Sequence, residues 1–149
     1  MNTSLFKEIF TRELNKLKIE IGSYRNEAAI WRTDKEIKNA AGNLCLHLVG
    51  NLNTYIGAVL GDTGYVRHRE QEFQLKDIPR AELVTMIERT ITAIQTTLDR
   101  LPPAQLEDEY PVIVLEAKTT TGFMLVHLAT HLGYHLGQIN YHRRLLDHS

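Results

Sequence analysis

The chain has 149 residues, enough for one domain with a hydrophobic core of its own. Its 17 Lys and Arg stand against 18 Asp and Glu, a formal charge of -1, so no basic field exists to hold nucleic acid. The lone cysteine, Cys45, excludes an internal disulfide framework and a cysteine-rich zinc site, and fits a reducing compartment.

The first residues carry charges every few positions and no apolar run of the signal-peptide kind. No segment reads as the roughly 18 apolar residues of a membrane span. The expectation is a cytoplasmic protein, a single domain over 1–149 with no membrane and no nucleic-acid partner.

From residue 4 to about 21, Phe6, Phe10, Leu14, Leu17 and Ile21 recur at spacings of three and four, which predicts an amphipathic helix. Residues 22–38 break that period and read as an irregular connection with room for a short helix, Trp31 serving as packing. A second helix is expected over about 39–60, stopped by Gly61 and Asp62. It is apolar almost all round. Its polar arc, Asn43, His47, Asn51 and Thr54, should face a polar cavity or solvent, whereas Cys45, about 200° from His47, points away into the core.

Residues 62–78 read as a long charged loop containing Arg67, His68, Arg69, Glu70 and Glu72. A third helix follows over about 79–101, with Leu83, Ile87, Ile91, Ile94 and Leu98 on one face and Pro102 and Pro103 ending it. After a second loop, in which 112–115 could form a brief extended piece, the threonines at 119–121 suit the cap of a fourth helix reaching Leu146. Four helices of this length give an all-α fold, a four-helix bundle; connections longer than adjacent antiparallel helices need imply a crossover or a lid.

The fourth helix carries the chemistry. At roughly 100° per residue, His127, His131, His135, Gln138 and His142 fall within about 40° of one line. Leu128, Leu132 and Ile139 flank that stripe on one side, and Phe123, Tyr134, Tyr141 and Leu145 on the other. The histidines are thus expected to centre the buried face, an arrangement that metal coordination explains. Ala129, Gly133 and Gly137 line the outer arc, where small residues would admit another helix, of the same bundle or of a dimer mate.

Two imidazoles at i and i+4 can reach one cation, with further ligands from another helix, and His47 is the only histidine on another expected helix. No Glu follows the first histidine of either i, i+4 pair, so the zinc-protease arrangement is absent. No Glu-x-x-His pair occurs, which excludes the di-iron carboxylate bundle. A mononuclear site of three neutral histidines remains, with positions open to water or a substrate anion.

His47 within 42–52, together with His131-Leu-Gly-Tyr-His135-Leu-Gly-Gln138-Ile, resembles the DinB/YfiT-like family of metalloenzymes across essentially the whole chain. The resemblance implies a four-helix bundle with left-handed twist and a long crossover, often a homodimer. It places a divalent ion, nickel or zinc, on His47, His131 and His135, with Gln138 next to the site; by their positions on the two helices, His127 and Asn51 are further candidates to support the ligands. Leu136 stands where family members typically carry a basic residue. The loop with Arg67 and Arg69 resembles the arginine-rich loop of one subgroup, and guanidinium groups there could clamp the carboxylates of a thiol cofactor; the alternative is a solvated loop paired with Glu70 and Glu72.

Characterised relatives implied by the resemblance are thiol-dependent transferases and a thiol-dependent isomerase. The leading expectation is therefore a metal-dependent S-transferase using a low-molecular-weight thiol as co-substrate. A metal-dependent hydrolase and a non-catalytic, stress-related metal- or ligand-binding bundle are the alternatives. The residues themselves argue for a site rather than for a reaction.

Overall fold

The computed structural model describes residues 2–148; Met1 and Ser149, the two ends of the expected domain, lie outside the described residues. The chain is 71% helical and has no strand among the described residues. Helix α1 spans Thr3–Gly22, capped by the Asn2 side chain, which accepts from the Leu5 amide. Its stripe, Phe6, Phe10, Leu14, Leu17 and Ile21, is buried as its period requires. A five-residue 3-10 turn, Glu27–Trp31, follows.

Helix α2 spans Ala41–Gly61. Its first part, Ala41–Leu52, is buried at every residue, and a π segment, Asn53–Ala58, then shifts the register. Asn53 Nδ2 donates both to the Val49 carbonyl and to Thr90 Oγ1, tying that segment to its neighbour helix. Contrary to the expectation that no segment is apolar enough, α2 could by length and composition cross a membrane, with a mean hydropathy of 1.3. The fold accounts for that composition, because packing on nearly all sides demands an apolar helix as a bilayer does. Trp31 lies so close to Gly42 that a Cβ there would sit 2.6 Å from its ring, so the start of α2 rests directly on the indole.

The loop expected over 62–78 contains a six-residue helix, α3, Arg69–Gln74. Helix α4 spans Arg80–Arg100 behind Pro79 and buries Leu83, Ile87, Ile94 and Leu98. A 3-10 turn, Pro103–Glu107, precedes an irregular segment that includes 112–115 without forming a strand. Helix α5, Thr121–Leu146, begins at Thr120, whose hydroxyl accepts from the Phe123 amide. α1 packs along α4 and α5, α2 packs against α3, α4 and α5, and one cluster of buried apolar residues joins all four long helices.

α5 corrects the expected face. Its buried side is Leu125, Leu128, Leu132, Leu136, Ile139 and Leu146, while Phe123, Tyr134, Tyr141 and Leu145 are exposed. The histidine stripe therefore borders the core instead of centring it. Period alone cannot decide which of two apolar flanks a helix buries, and the aliphatic one wins here. A Cβ at Gly133 or Gly137 would meet nothing within 4 Å, so among the described residues no close helix approach requires these glycines.

His142, the last member of the histidine stripe, is buried and bonded on both ring nitrogens. Nδ1 lies 2.7 Å from Tyr24 Oη and Nε2 donates to the Arg32 carbonyl at 2.8 Å. A neutral imidazole fits these roles, and burial lowers its pKa below the ordinary 6.5. Below pH 6.5 the unfolded chain binds a proton that the native one refuses, so this contribution to stability, present above 6.5, is lost progressively as pH falls from there through the lowered native value. His142→Phe is expected to cost about 1–3 kcal/mol at pH 7.5 by stranding the tyrosine hydroxyl and the carbonyl. In urea denaturation the gap between variant and wild type should narrow towards pH 5; a gap independent of pH would contradict the neutral, buried role.

Candidate metal centre

α2 and α5 bring three imidazoles together. His131 Nε2 lies 3.2 Å from His47 Nε2 and 3.1 Å from His135 Nε2, and the three histidines offer ligand atoms all within 4.8 Å of one another. Tetrahedral ligands about 2.0–2.1 Å from a zinc ion stand about 3.3 Å apart, so the spacing suits a single ion. His47 is buried, whereas His131 and His135 are half-buried, which leaves the group one accessible side.

Two tautomers are set from behind. Glu72 Oε1 lies 3.1 Å from His47 Nδ1, and Gln138 Oε1 lies 2.7 Å from His135 Nδ1. Each oxygen accepts from a protonated Nδ1, so both Nε2 lone pairs point into the cluster. Arg67 Nη2 also stands 3.3 Å from His47 Nδ1, but its protons go to Glu72, whose carboxylate it grips through Nε at 2.7 Å and Nη2 at 2.9 Å. A carboxylate takes both donors at once, whereas a neutral ring nitrogen accepting from Arg67 would leave Glu72 facing a second lone pair.

Burial lowers the pKa of His131 to about 4, reinforced by the neighbouring His135 and His47. Burial also lowers that of His47, against the opposing pull of Glu72. Neutral imidazoles are the form that metals bind. His131 Nδ1 is buried without a hydrogen-bond partner among the described residues, as is Asn51 Oδ1, one helical turn beyond His47. The residues present thus fit a divalent ion: three converging donors, two fixed tautomers, and burial that disfavours protonation of His47 and His131.

Glu72 is the residue at the cluster whose place the sequence did not show: pairing with a loop arginine was one of its two expected readings, burial against His47 was not. It is 6% exposed and reaches His47 because α3 lies across α2. Asn43 holds α3 there, its Nδ2 donating to the carbonyls of Glu72 and Leu75 while its Oδ1 accepts from Lys76 Nζ. Gly50 makes room, since a Cβ at that position would overlap the Glu72 carboxylate. A glycine on the histidine's side of a helix, within one turn, was the available signal.

Of the other sequence candidates, Gln138 stands behind His135 and His127 stacks on His131 with ring centroids 6.4 Å apart. Arg67 is engaged with Glu72, and Arg69 is exposed in the first turn of α3. Cys45 is fully buried, and burial pushes its thiol up to about 12.

Fold and cluster together define an all-helical protein with a three-histidine group able to hold a divalent ion. The chain belongs to the family described as "Protein of unknown function (DUF1572)", which matches residues 6–149. It is similar in fold to a crystal structure described as that of a conserved protein from Enterococcus faecalis. The TM-score is 0.77 and the identity 18%, over 98% of both chains. No curated protein matches it.

Glu72→Gln and Gly50→Ala should each weaken zinc binding about 10- to 100-fold in chelator competition, the first by removing the charge behind His47 and the second by displacing it. Unchanged affinity in both would mean that Glu72 serves only to anchor α3.

Proposed function

We propose that the protein is a divalent-metal-dependent enzyme of the DinB type, a single-domain, cytoplasmic four-helix bundle with left-handed twist and a long crossover, acting as a thiol-dependent S-transferase. The observation that carries this reading is the convergence of three Nε2 atoms on one half-open site, two of them with tautomers set by Glu72 and Gln138. A bound divalent ion, nickel or zinc by the family resemblance, supplies Lewis acidity that lowers the pKa of a thiol.

The chain's own groups prepare for that chemistry. Glu72 keeps the His47 proton on Nδ1, and Arg67 cancels the carboxylate's charge, so the ligand set stays neutral overall. Cys45 is unsuited to act as the nucleophile by its burial and its raised pKa, which supports a co-substrate as the source of the sulfur. With Arg67 engaged, Arg69 is the loop guanidinium free to meet that co-substrate's carboxylates. Gly133 and the exposed Phe123, Val126 and Tyr134 offer the surface for the proposed homodimer.

Metal-loaded protein should accelerate loss of monobromobimane above background only when a low-molecular-weight thiol is present. The activity should disappear in His135→Ala and persist in Cys45→Ala. Equal turnover without thiol would replace the transferase with a hydrolase, and no turnover with any thiol would favour a non-catalytic metal site. The same preparation should sediment as a dimer at micromolar concentration; a monomer removes the dimer from the proposal.

A further inference from the structure

A cavity of about 510 Å³ lies beside the centre, between the 36–39 connection, the first turn of α2 and the last turns of α5. Ile37, Leu44, Tyr141 and Leu145 form its apolar walls, and Gln138 closes the side towards the histidines. Gln138 is shared by the two sites: its Oε1 is bound to His135 Nδ1, which leaves its amide N–H groups free to donate. A molecule in the cavity therefore lies one side chain away from His135.

The connection forming the roof is a built turn. The backbones of Asp34 and Ile37 exchange both hydrogen bonds, at 3.1 and 2.7 Å, around Lys35 at a φ of 48°. That turn presents Ile37 and Lys38 to the cavity. Lys38 has no carboxylate partner among the described residues, and it shares the rim with one carboxylate, Glu36. Inside, the Gln138 amide adds donors.

We propose that this cavity is a binding site for a small, flat, apolar acid, whose ring lies among Ile37, Leu44, Tyr141 and Leu145 and whose carboxylate meets Lys38. Its volume suits a molecule of one or two rings. The cavity and its ligand class stand on this geometry alone; only its role as the acceptor-substrate site of the transferase rests on the function proposed above.

The test uses 2-naphthoate, with 2-naphthylmethylammonium and 2-naphthylmethanol as the cationic and neutral analogues, titrated by calorimetry into full-length protein with metal loaded and after EDTA. Naphthoate should bind in both states, at least about tenfold more tightly than the cation. Lys38→Glu and Leu145→Asp should each weaken it about tenfold or more, while Glu36→Gln should not weaken it. Leu145 is 59% exposed, so its substitution leaves the core intact.

Equal binding of the three probes, no binding, or indifference to both weakening variants would overturn the site. Binding seen only with metal loaded would also overturn it, because the carboxylate would then be a metal ligand. Naphthoate binding in protein that shows no thiol transfer would keep the cavity and remove only the transferase reading.

Discussion

The centre depends on a buried carboxylate. Glu72 sits between the Arg67 guanidinium and the His47 ring, and each partner makes the other's position tenable. An ionised carboxylate in that setting is costly unless its oxygens are fully used, and here both oxygens are bonded to Arg67 while one also takes the imidazole proton. The rest follows from holding a six-residue helix against α2. Asn43 supplies the polar anchor for that helix, and Gly50 supplies the space. Removing one member of such a buried pair costs about 3–5 kcal/mol, so the loop is part of the site and not an ornament on its surface.

α5 carries two functions on adjoining faces. Its aliphatic face joins the core, and its histidine stripe runs along the edge of that face, where side chains reach both the interior and solvent. This placement suits a group that could hold a metal ion. Ligands deep in the core would be inaccessible, and ligands on the free face could not meet a partner from α2. His142, lower on the same stripe, has taken a structural role instead, linking the end of α5 to Tyr24 and Arg32. Asp147 strengthens that junction by accepting from the amides of Arg25 and Asn26.

Much of this was legible in the residues. The stripes of α1 and α4 dictate their buried faces, and the spacing of His131 and His135 with a lone histidine on α2 marks the three rings that meet. What was not legible depended on contacts between elements distant in sequence. Arg67 and Glu72 look like solvated charges until α3 is seen lying on α2. Likewise, two apolar flanks on α5 are equivalent by period, and only the shape of the core selects Leu128 and Leu132 over Tyr134 and Tyr141. The burial of α2 on nearly all sides explains both its apolar composition and the polar arc that meets the histidines.

Everything proposed for the centre requires that His47, His131 and His135 hold one divalent ion. The direct measurement is metal content by mass spectrometry on protein purified without a nickel column and then equilibrated with zinc or nickel, beside His47→Ala and His135→Ala variants. The account predicts about one ion per chain in the wild type and loss of it in both variants. A wild type that takes up no metal, or variants that keep it, would contradict the account and leave the three rings as a polar network at the edge of the core.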